Sequence, residues 1–350
     1  MRKLACLVSS ASISLALFYG CVGDSPTSPT ADAATGGDSA IDTAPPRDSS
    51  AGDSAVPGDS EAKDSSSPDV PTGDGRVPTC YGQPFGAPTS VDMSQVSAAL
   101  GGVVWGPRVV GANAYFAAVP NGGNEQQLFR ATFAPGAGGA APGLSNAVQL
   151  SPPSLATVVE WAPTVARDST MMVFNTGLPQ LAQARELALS LATGGAFAAG
   201  VAIGNLNTTF DEADPWLVGR PQARALYFSR DDAAKVVALY RAPVTGVGTF
   251  GAAARVSLTC PLSNCGTPVV APNEDLILFG AWPAGGFAPT VREASLGVAG
   301  ATASATNLVD HPELGAHYPS WLSDDGCEVL LGGGGISQIT DIAYARRTPK

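Results

Sequence analysis

Short apolar runs alternate with polar or glycine-rich turns from about residue 100 onward, and the order of these runs repeats five times. A strong apolar run recurs in each repeat, and its five versions are "AYFAA", "MMVFN", "ALYFS", "LILFG" and "EVLLG". A polar turn of the kind that joins antiparallel strands stands before each of them. Apolar runs of this length between turns are typical of β-strands, so the chain is predicted to be rich in strands and turns.

Each repeat opens with a proline and a short apolar stretch. The prolines are separated by 56, 52, 53 and 51 residues, and they are Pro107, Pro163, Pro215, Pro268 and Pro319. A third alternating run follows the strong one, and four of the five repeats continue to a weaker fourth run. Four such runs describe one blade of a β-propeller, so we predict an all-β, five-bladed propeller with four antiparallel strands per blade. We expect each proline at the start of an innermost strand, where a missing N–H costs least.

The last repeat ends without a fourth run, and the start of the domain supplies a spare one. "QPFGAPTSVDM", from Gln83, is similar to "GTFGAAARVSL", from Gly248, which is a fourth run. The segment from Phe85 to Val91 is therefore predicted to complete the last blade and close the ring. Closure would remove a sheet edge that otherwise invites aggregation.

Two stretches resemble the WD-like repeats of TolB-like propellers, a family that includes many bacterial envelope lipoproteins. They are "FDEADPWLVGRPQARALYFSRDD" and "HYPSWLSDDGCEVLLGGGG", and they contain the Asp214-Pro215 pair and the turn at 323–326 that match the family pattern. The resemblance implies a propeller that binds or scaffolds other envelope components. The family usually has six blades, whereas five repeats are present here.

The first 21 residues are predicted to be a signal peptide. Arg2 and Lys3 precede an apolar stretch too short for a comfortable membrane span, and this stretch ends in "LFYGC". The ending resembles a bacterial lipoprotein signal, which implies lipid attachment at Cys21 and a location in the cell envelope, at the outer membrane and facing the periplasm or the surface. Secretion after cleavage elsewhere is the alternative.

Residues 22–78 are predicted to be a disordered spacer. They are mostly Ser, Asp, Pro, Gly, Ala and Thr, with eleven acidic and three basic residues. Such a segment cannot bury enough apolar surface to offset its chain entropy. The spacer holds most of the chain's net charge of −11, so the folded part, predicted at 79–350, is only mildly acidic. This charge argues against nucleic acid as a partner.

Four cysteines of the folded part suggest two disulfides in an exported domain. Cys260 and Cys265 are the natural local pair, which leaves Cys80 with Cys327. Metal binding is the rival interpretation, but no histidine lies near and the spacing fits no zinc pattern. We therefore predict neither a metal nor a cofactor.

The mouth of the channel is where we expect function, on loops and on the starts of inner strands. The residues that the repeat places there form the candidate binding rim, and they are Glu160, Trp161, Glu212, Asp214 and His317. Facing carboxylates could hydrolyse a glycoside. Alternatively, these acids bond turn amides, Trp161 packs between blades, and His317 is a rim residue rather than a base.

No nucleophile elbow and no phosphate-binding loop is found in the sequence. The favoured interpretation is therefore a monomeric envelope lipoprotein that binds or scaffolds an envelope protein or a glycan, without catalysis. A glycan-active enzyme that uses the channel-mouth carboxylates is the alternative. A surface coat protein is a third possibility, which no particular residue or motif supports.

Overall fold

The computed structural model describes residues 80–123, 125–136, 140–153, 159–177, 185–219, 222–232, 234–286, 288–333 and 342–348. The predicted signal peptide, the predicted spacer and Cys21 lie outside these ranges. Within them, no helix has both the length and the apolar character needed to cross a membrane.

The described chain forms five small antiparallel sheets arranged in a ring, which is the predicted five-bladed propeller. It begins with β1 (Thr89–Ser90). Blade 1 contains β2 (Leu100–Val110), β3 (Asn113–Pro120), β4 (Gln127–Ala134) and β5 (Gly143–Gln149). Blade 2 contains β6 (Val159–Val165), β7 (Met171–Gly177), β8 (Glu186–Thr193), β9 (Ala196–Phe197) and β10 (Val201–Ala202).

The strands of the remaining blades also follow one another in chain order. Blade 3 contains β11 (Glu212–Val218), β12 (Ala225–Asp231), β13 (Val237–Gly246), β14 (Thr249–Phe250) and β15 (Ala254–Arg255). Blade 4 contains β16 (Asn264–Val270), β17 (Leu276–Trp282), β18 (Thr290–Ala299) and β19 (Thr302–Asp310). Blade 5 contains β20 (His317–Leu322), β21 (Glu328–Gly333) and β22 (Ala343–Arg346). Two 3-10 turns, Ser97–Ala99 and Pro312–Leu314, precede blades 1 and 5.

The first strand of every blade lies innermost. These strands contact one another in a closed circuit, β2 with β6, β6 with β11, β11 with β16, β16 with β20 and β20 with β2. The strong apolar run of each repeat forms the second strand and is almost wholly buried, because both of its faces meet neighbouring blades. For example, Phe174 of blade 2 packs with Tyr115 and Leu128 of blade 1. No blade could cover these faces alone.

The segment from Phe85 to Val91 completes blade 5 as predicted, and we call residues 80–91 the closing segment. Thr89 and Ser90 pair with Tyr344 and Ala343, so the sheet order is β20, β21, β22 and then β1. Backbone hydrogen bonds extend the pairing on both sides of β1, from the N–H of Gly86 to the carbonyl of Arg346 and from Val91 to Ile342. The two ends of the propeller thus share one sheet.

Two carboxylates fix the closing segment to blades 4 and 5. The Glu293 carboxylate accepts the N–H of Gly82 at 2.6 Å and pairs with the Arg347 guanidinium at 2.5 Å, where both side chains are fully buried. The Glu313 carboxylate accepts the N–H of Phe85 at 2.9 Å. Burial alone would raise the pKa of Glu293, but His311, whose Nε2 lies 3.4 Å from the carboxylate, and the charge of Arg347 lower it below the ordinary value. A charged Glu293 therefore stabilises the closed ring.

Both cysteine pairs lie at disulfide distance. The Cα atoms of Cys80 and Cys327 are 5.2 Å apart, and those of Cys260 and Cys265 are 5.9 Å apart. Cys80 sits in a turn before β1, and Cys327 immediately precedes β21. The bond therefore crosses the end of the blade, which overcomes the separation of about 9–10 Å between strands two apart in a sheet.

The repeat prolines lie inside the innermost strands rather than at their starts, so that expectation was wrong. In blades 1 to 4 the register shifts across the pair formed by the proline and the residue before it, which is a β-bulge. The residue before the proline has a positive φ in three of these blades, 48° at Ala162, 52° at Asp214 and 51° at Thr267. In blade 1 it is Gly106, where an added Cβ would strike the Ser320 side chain.

Hydrogen bonds from the preceding blade hold two of these bulges. The N–H of Asp214 donates to Asn175 Oδ1 at 2.9 Å, and the N–H of Thr267 donates to Ser229 Oγ at 3.0 Å. Asn175 and Ser229 occupy the same position on the second strands of blades 2 and 3. A positive φ at a residue other than glycine costs on the order of 1–2 kcal/mol, and these bonds offset that cost.

The Cys80–Cys327 bond closes a loop of 247 residues and the Cys260–Cys265 bond one of 5 residues, so loop entropy predicts different contributions. We expect replacement of Cys80 and Cys327 by serine to lower the free energy of unfolding by about 5 kcal/mol, against about 2 kcal/mol for Cys260 and Cys265. Urea denaturation of the two double variants measures both. Equal losses would contradict this account of ring closure.

Ala162 has a φ of 48°, which glycine adopts without strain. We expect Ala162→Gly to raise the free energy of unfolding by up to about 1 kcal/mol, despite the greater freedom of glycine in the unfolded chain. Ala117→Gly, in the regular and buried part of β3, serves as the control and should lower it by about 1 kcal/mol. Urea denaturation midpoints of the two variants measure the difference. If Ala162→Gly lowers the free energy of unfolding as much as Ala117→Gly does, the backbone at Ala162 is not strained.

Candidate functional site

Glu160 and Glu212 occupy equivalent places near the starts of β6 and β11, and both are buried, with 1% and 0% of their surface exposed. The Glu212 carboxylate accepts the Thr208 hydroxyl at 2.6 Å and pairs with the Arg230 guanidinium at 2.8 Å. Arg230 also donates to the carbonyl of Leu206, before blade 3. Glu212 therefore stabilises the junction between blades 2 and 3, and its carboxylate is not accessible to a soluble substrate.

Asp214 behaves differently, because the bulge separates its side chain from that of Glu212. It remains partly exposed and accepts the Ser229 hydroxyl at 3.3 Å. Its charge interacts with Arg185 of blade 2 and with Arg108 of blade 1. Blades 1 and 3 are not neighbours in the ring, so an interaction between them must pass through the centre.

Tyr318 of blade 5 also interacts with the charge of Asp214, although blades 3 and 5 are not neighbours either. Asp214 is therefore a central acid surrounded by all five blades. We call this group the axial cluster, and its members are Arg108, Arg185, Asp214, Thr267 and Tyr318.

Burial dominates the titration of the axial cluster. It raises the pKa of the Asp214 carboxyl above the ordinary value, although Arg185, Arg108 and hydrogen bonds from Ser229 and Thr267 act in the opposite direction. Burial, followed by the charge of Asp214, also raises the pKa of Tyr318. A carboxyl group with a raised pKa at the centre of a ring of blades is a candidate functional group.

Arg108 is the most unusual member of the cluster. It follows the proline of blade 1, its surface is only 6% exposed, and burial lowers its pKa to about 10. Its guanidinium carbon lies 5.1 Å from the centre of the Trp216 ring, which belongs to blade 3. Its Nε and Nη1 atoms are buried and have no hydrogen-bond partner within the described part of the chain.

The residues that follow the repeat prolines come next along the first strands. All are buried, and they are Arg108, Thr164, Trp216, Val269 and Ser320. Farther along, where the first strands end, an ion pair joins Arg167 of blade 2 to Asp324 of blade 5. These blades are not neighbours, so the pair crosses the far opening of the ring. The axial cluster is consequently approached from the end where the first strands begin.

The other predicted rim residues lie at that same end. Trp161 is partly exposed, and the Arg185 guanidinium carbon lies 5.9 Å from the centre of its ring. His317 is half-buried, and its Nδ1 lies 2.5 Å from the carbonyl oxygen of Leu314. Trp161 also packs toward Gly177 of its own blade, where an added Cβ would lie 3.3 Å from the ring. Trp161 therefore combines packing with a partly open face.

The sequence did not identify Arg108, Arg185, Thr267 and Tyr318 as candidates. Arg108 stands where the other blades have Thr164, Trp216, Val269 and Ser320. A single charged residue in an otherwise uncharged position of a buried strand was the signal that could have found it.

A second concave region lies away from the axis. It is a groove of about 360 Å³ between the outer strands of blades 3 and 4, lined by residues of 255–259 and 304–306. Ser257 already pairs with this edge of blade 4, since its N–H donates to Ala303 and its carbonyl accepts from Ala305. Across the described ranges, no group of three or more His, Cys, Asp or Glu side chains is placed to hold a metal ion.

Neither a protein-family model nor a curated protein sequence matches the chain. Among solved structures, TolB from Acinetobacter baumannii is similar at a TM-score of 0.45 and 12% identity over 71% of this chain, which spans 55% of that protein's length. A thermostable family-43 glycoside hydrolase is similar at a TM-score of 0.48 and 11% identity, with 69% of this chain and 88% of that one covered.

A family 117 glycoside hydrolase from the marine bacterium Zobellia galactanivorans has a TM-score of 0.47 and 13% identity, with 75% and 90% covered. Similarities of this size assign no activity, substrate or partner to the chain.

Replacing the neighbouring acids Glu212 and Asp214 by their amides is expected to change the free energy of unfolding in different ways. Glu212→Gln leaves the largely buried Arg230 without its charged partner, so the free energy of unfolding should fall by about 3 kcal/mol. Asp214→Asn removes a carboxylate that burial disfavours, so stability at neutral pH should be equal or higher.

The pH dependence supplies the check on Asp214. A carboxyl whose pKa is raised by folding destabilises the protein above that pKa, and this effect disappears as the pH falls toward the unfolded value of about 4. The stability difference between Asp214→Asn and wild type should therefore shrink on acidification. Glu186→Gln, at an exposed position on β8, controls for the loss of one carboxyl. A difference that is independent of pH would contradict the raised pKa.

Proposed function

We propose that this chain is an exported lipoprotein of the cell envelope, and that its propeller binds or scaffolds an envelope protein or a glycan without catalysis. Lipid on Cys21 would hold it to the membrane, and residues 22–78 would separate the propeller from the lipid. The binding face is the end of the ring where the first strands begin, around Trp161, Arg185 and Asp214.

The observation that carries this proposal is the burial of two of the three channel-mouth acids. Glycoside hydrolysis needs two carboxyl groups on opposite sides of one bond. Glu160 and Glu212 are 1% and 0% exposed, and the Glu212 carboxylate is already bound to Thr208 and Arg230. Asp214 is the one acid of the three that keeps partial exposure. Only one of these three acids is reachable, and the partly exposed Asp211 is already paired with Arg185, so the arrangement suits recognition better than hydrolysis.

Capture from envelope extract tests the binding face, with the full chain immobilised. We expect wild type to retain an envelope protein or a glycan, and Trp161→Ala to retain several-fold less, because this change removes the partly exposed aromatic face of the mouth. Val201→Ala is the matched control, since Val201 is 68% exposed on an outer strand of the same blade. Cys21→Ser should move the chain from the membrane fraction to the soluble one.

Two outcomes would count against the proposal. Equal retention by wild type and Trp161→Ala would place binding elsewhere. Turnover of a polysaccharide or an aryl glycoside by wild type, abolished by Asp214→Asn, would instead favour the glycan-active alternative.

A further inference from the structure

We infer that the axial cluster is a binding site for a carboxylate group, in which Arg108 is the principal ligand contact. This inference deepens the proposed function, because it names the chemistry that the channel mouth recognises. It rests on the unmet hydrogen bonds of Arg108, on its position across the axis from Asp214, and on the partial exposure of Asp214 at one end of the ring.

The first step is the state of Arg108. A guanidinium that loses its water on folding normally regains hydrogen bonds to acceptors, because a buried charge without them is costly. Arg108 is 6% exposed, yet its Nε and Nη1 have no partner within the described residues. The face of Trp216, at 5.1 Å, supplies a cation–π contact but no acceptor. The Arg108 guanidinium therefore has donors that a bound ligand could satisfy.

The second step is the lack of an ion pair between Arg108 and Asp214. Their charges interact, but no ion pair within 4.0 Å joins them in the described structure. The nearest resident anion thus leaves the guanidinium unbonded. A ligand of Arg108 must accept hydrogen bonds from its guanidinium and tolerate the charge of Asp214.

The third step selects the ligand class. Arginine recognises carboxylates and phosphates through its planar set of donors. A phosphate with two negative charges would be repelled by Asp214, whereas a carboxylate carries one charge and can share a proton with a neighbouring carboxyl group. The partly exposed Trp161 offers apolar surface to the organic part of such a ligand.

The fourth step is access. Asp214 keeps partial exposure, and Arg185, whose side chain is 49% exposed, lies at the same end, where its Nε pairs with the Asp211 carboxylate at 3.4 Å. The Arg167–Asp324 ion pair crosses the opposite opening. An anion would therefore arrive past Arg185 and Trp161 and reach Arg108 last. The carboxylate could come from a small organic acid or from the C-terminus of a polypeptide.

Thermal unfolding of the full chain at constant ionic strength tests the inference, with acetate, benzoate, phosphate and chloride as probes. We expect Tm to rise saturably with acetate and more steeply with benzoate, and to respond alike to phosphate and chloride. A tripeptide with a free C-terminus, compared with the same peptide amidated, distinguishes the two sources of the carboxylate. If neither acid nor the free peptide raises the Tm of wild type, the inference is wrong.

Arg108→Met removes the guanidinium at similar volume. We expect at least about tenfold weaker carboxylate binding, as for the loss of charged hydrogen bonds, together with an unliganded Tm equal to or above that of wild type. A merely structural arginine would give a lower Tm instead. Arg130→Met, on an exposed position of blade 1, is the matched control and should bind as wild type does.

Further variants keep the inference falsifiable if Arg108→Met does not fold. Arg108→Lys retains the charge but loses the planar donor set, so it should fold and bind several-fold more weakly. Asp214→Asn removes the negative charge beside the site and should bind several-fold more tightly at neutral pH. Binding unchanged in Arg108→Lys would overturn the inference. The capture experiment with Trp161→Ala does not depend on carboxylate binding at Arg108. Failure of the proposed function and failure of this inference can therefore be told apart.

Discussion

The propeller depends on the pairing of the closing segment with β22, because that contact turns an open row of sheets into a ring. β1 has only two residues, Thr89 and Ser90, and a ladder of that length is weak by itself. The structure compensates with side chains. Glu293 and Glu313 hold backbone N–H groups just ahead of β1, and a disulfide lies at Cys80. The strength of the closure therefore lies mostly outside the strand that performs it.

A second constraint, the bulge in the innermost strands, determines which side chains lie at the centre of the ring. Five innermost strands converge on one axis, and a bulge at the repeat proline turns the backbone there in blades 1 to 4. Proline suits this place because the innermost strand is a sheet edge, where its missing N–H interrupts no ladder. The bulge also separates the side chains of Glu212 and Asp214, which would otherwise share a face. One acid consequently supports a seam between blades, and the other lies at the axis.

The fold could be predicted from the sequence because its signal is periodic and repeated. Alternation within runs identified the strands, recurrence identified the blades, and the similarity of Gln83 onward to a fourth run identified the closure. The placement of Pro215 could not be predicted, because a bulge leaves the apolar pattern on either side intact. The axial role of Arg108 was also hidden. It depends on contacts between blades 1 and 3, which are far apart in sequence and not adjacent in the ring.

The location of Cys80 has a mechanical consequence. Cys80 precedes β1 in the chain, and its bond to Cys327 lies ahead of every hydrogen bond that β1 makes. Tension applied through the preceding chain would therefore enter blade 5 at Cys327, through a covalent link. The two-residue ladder would carry little of that load, and peeling from its free end would be blocked. A propeller held in this way can be pulled by its N-terminal side without opening at its weakest sheet.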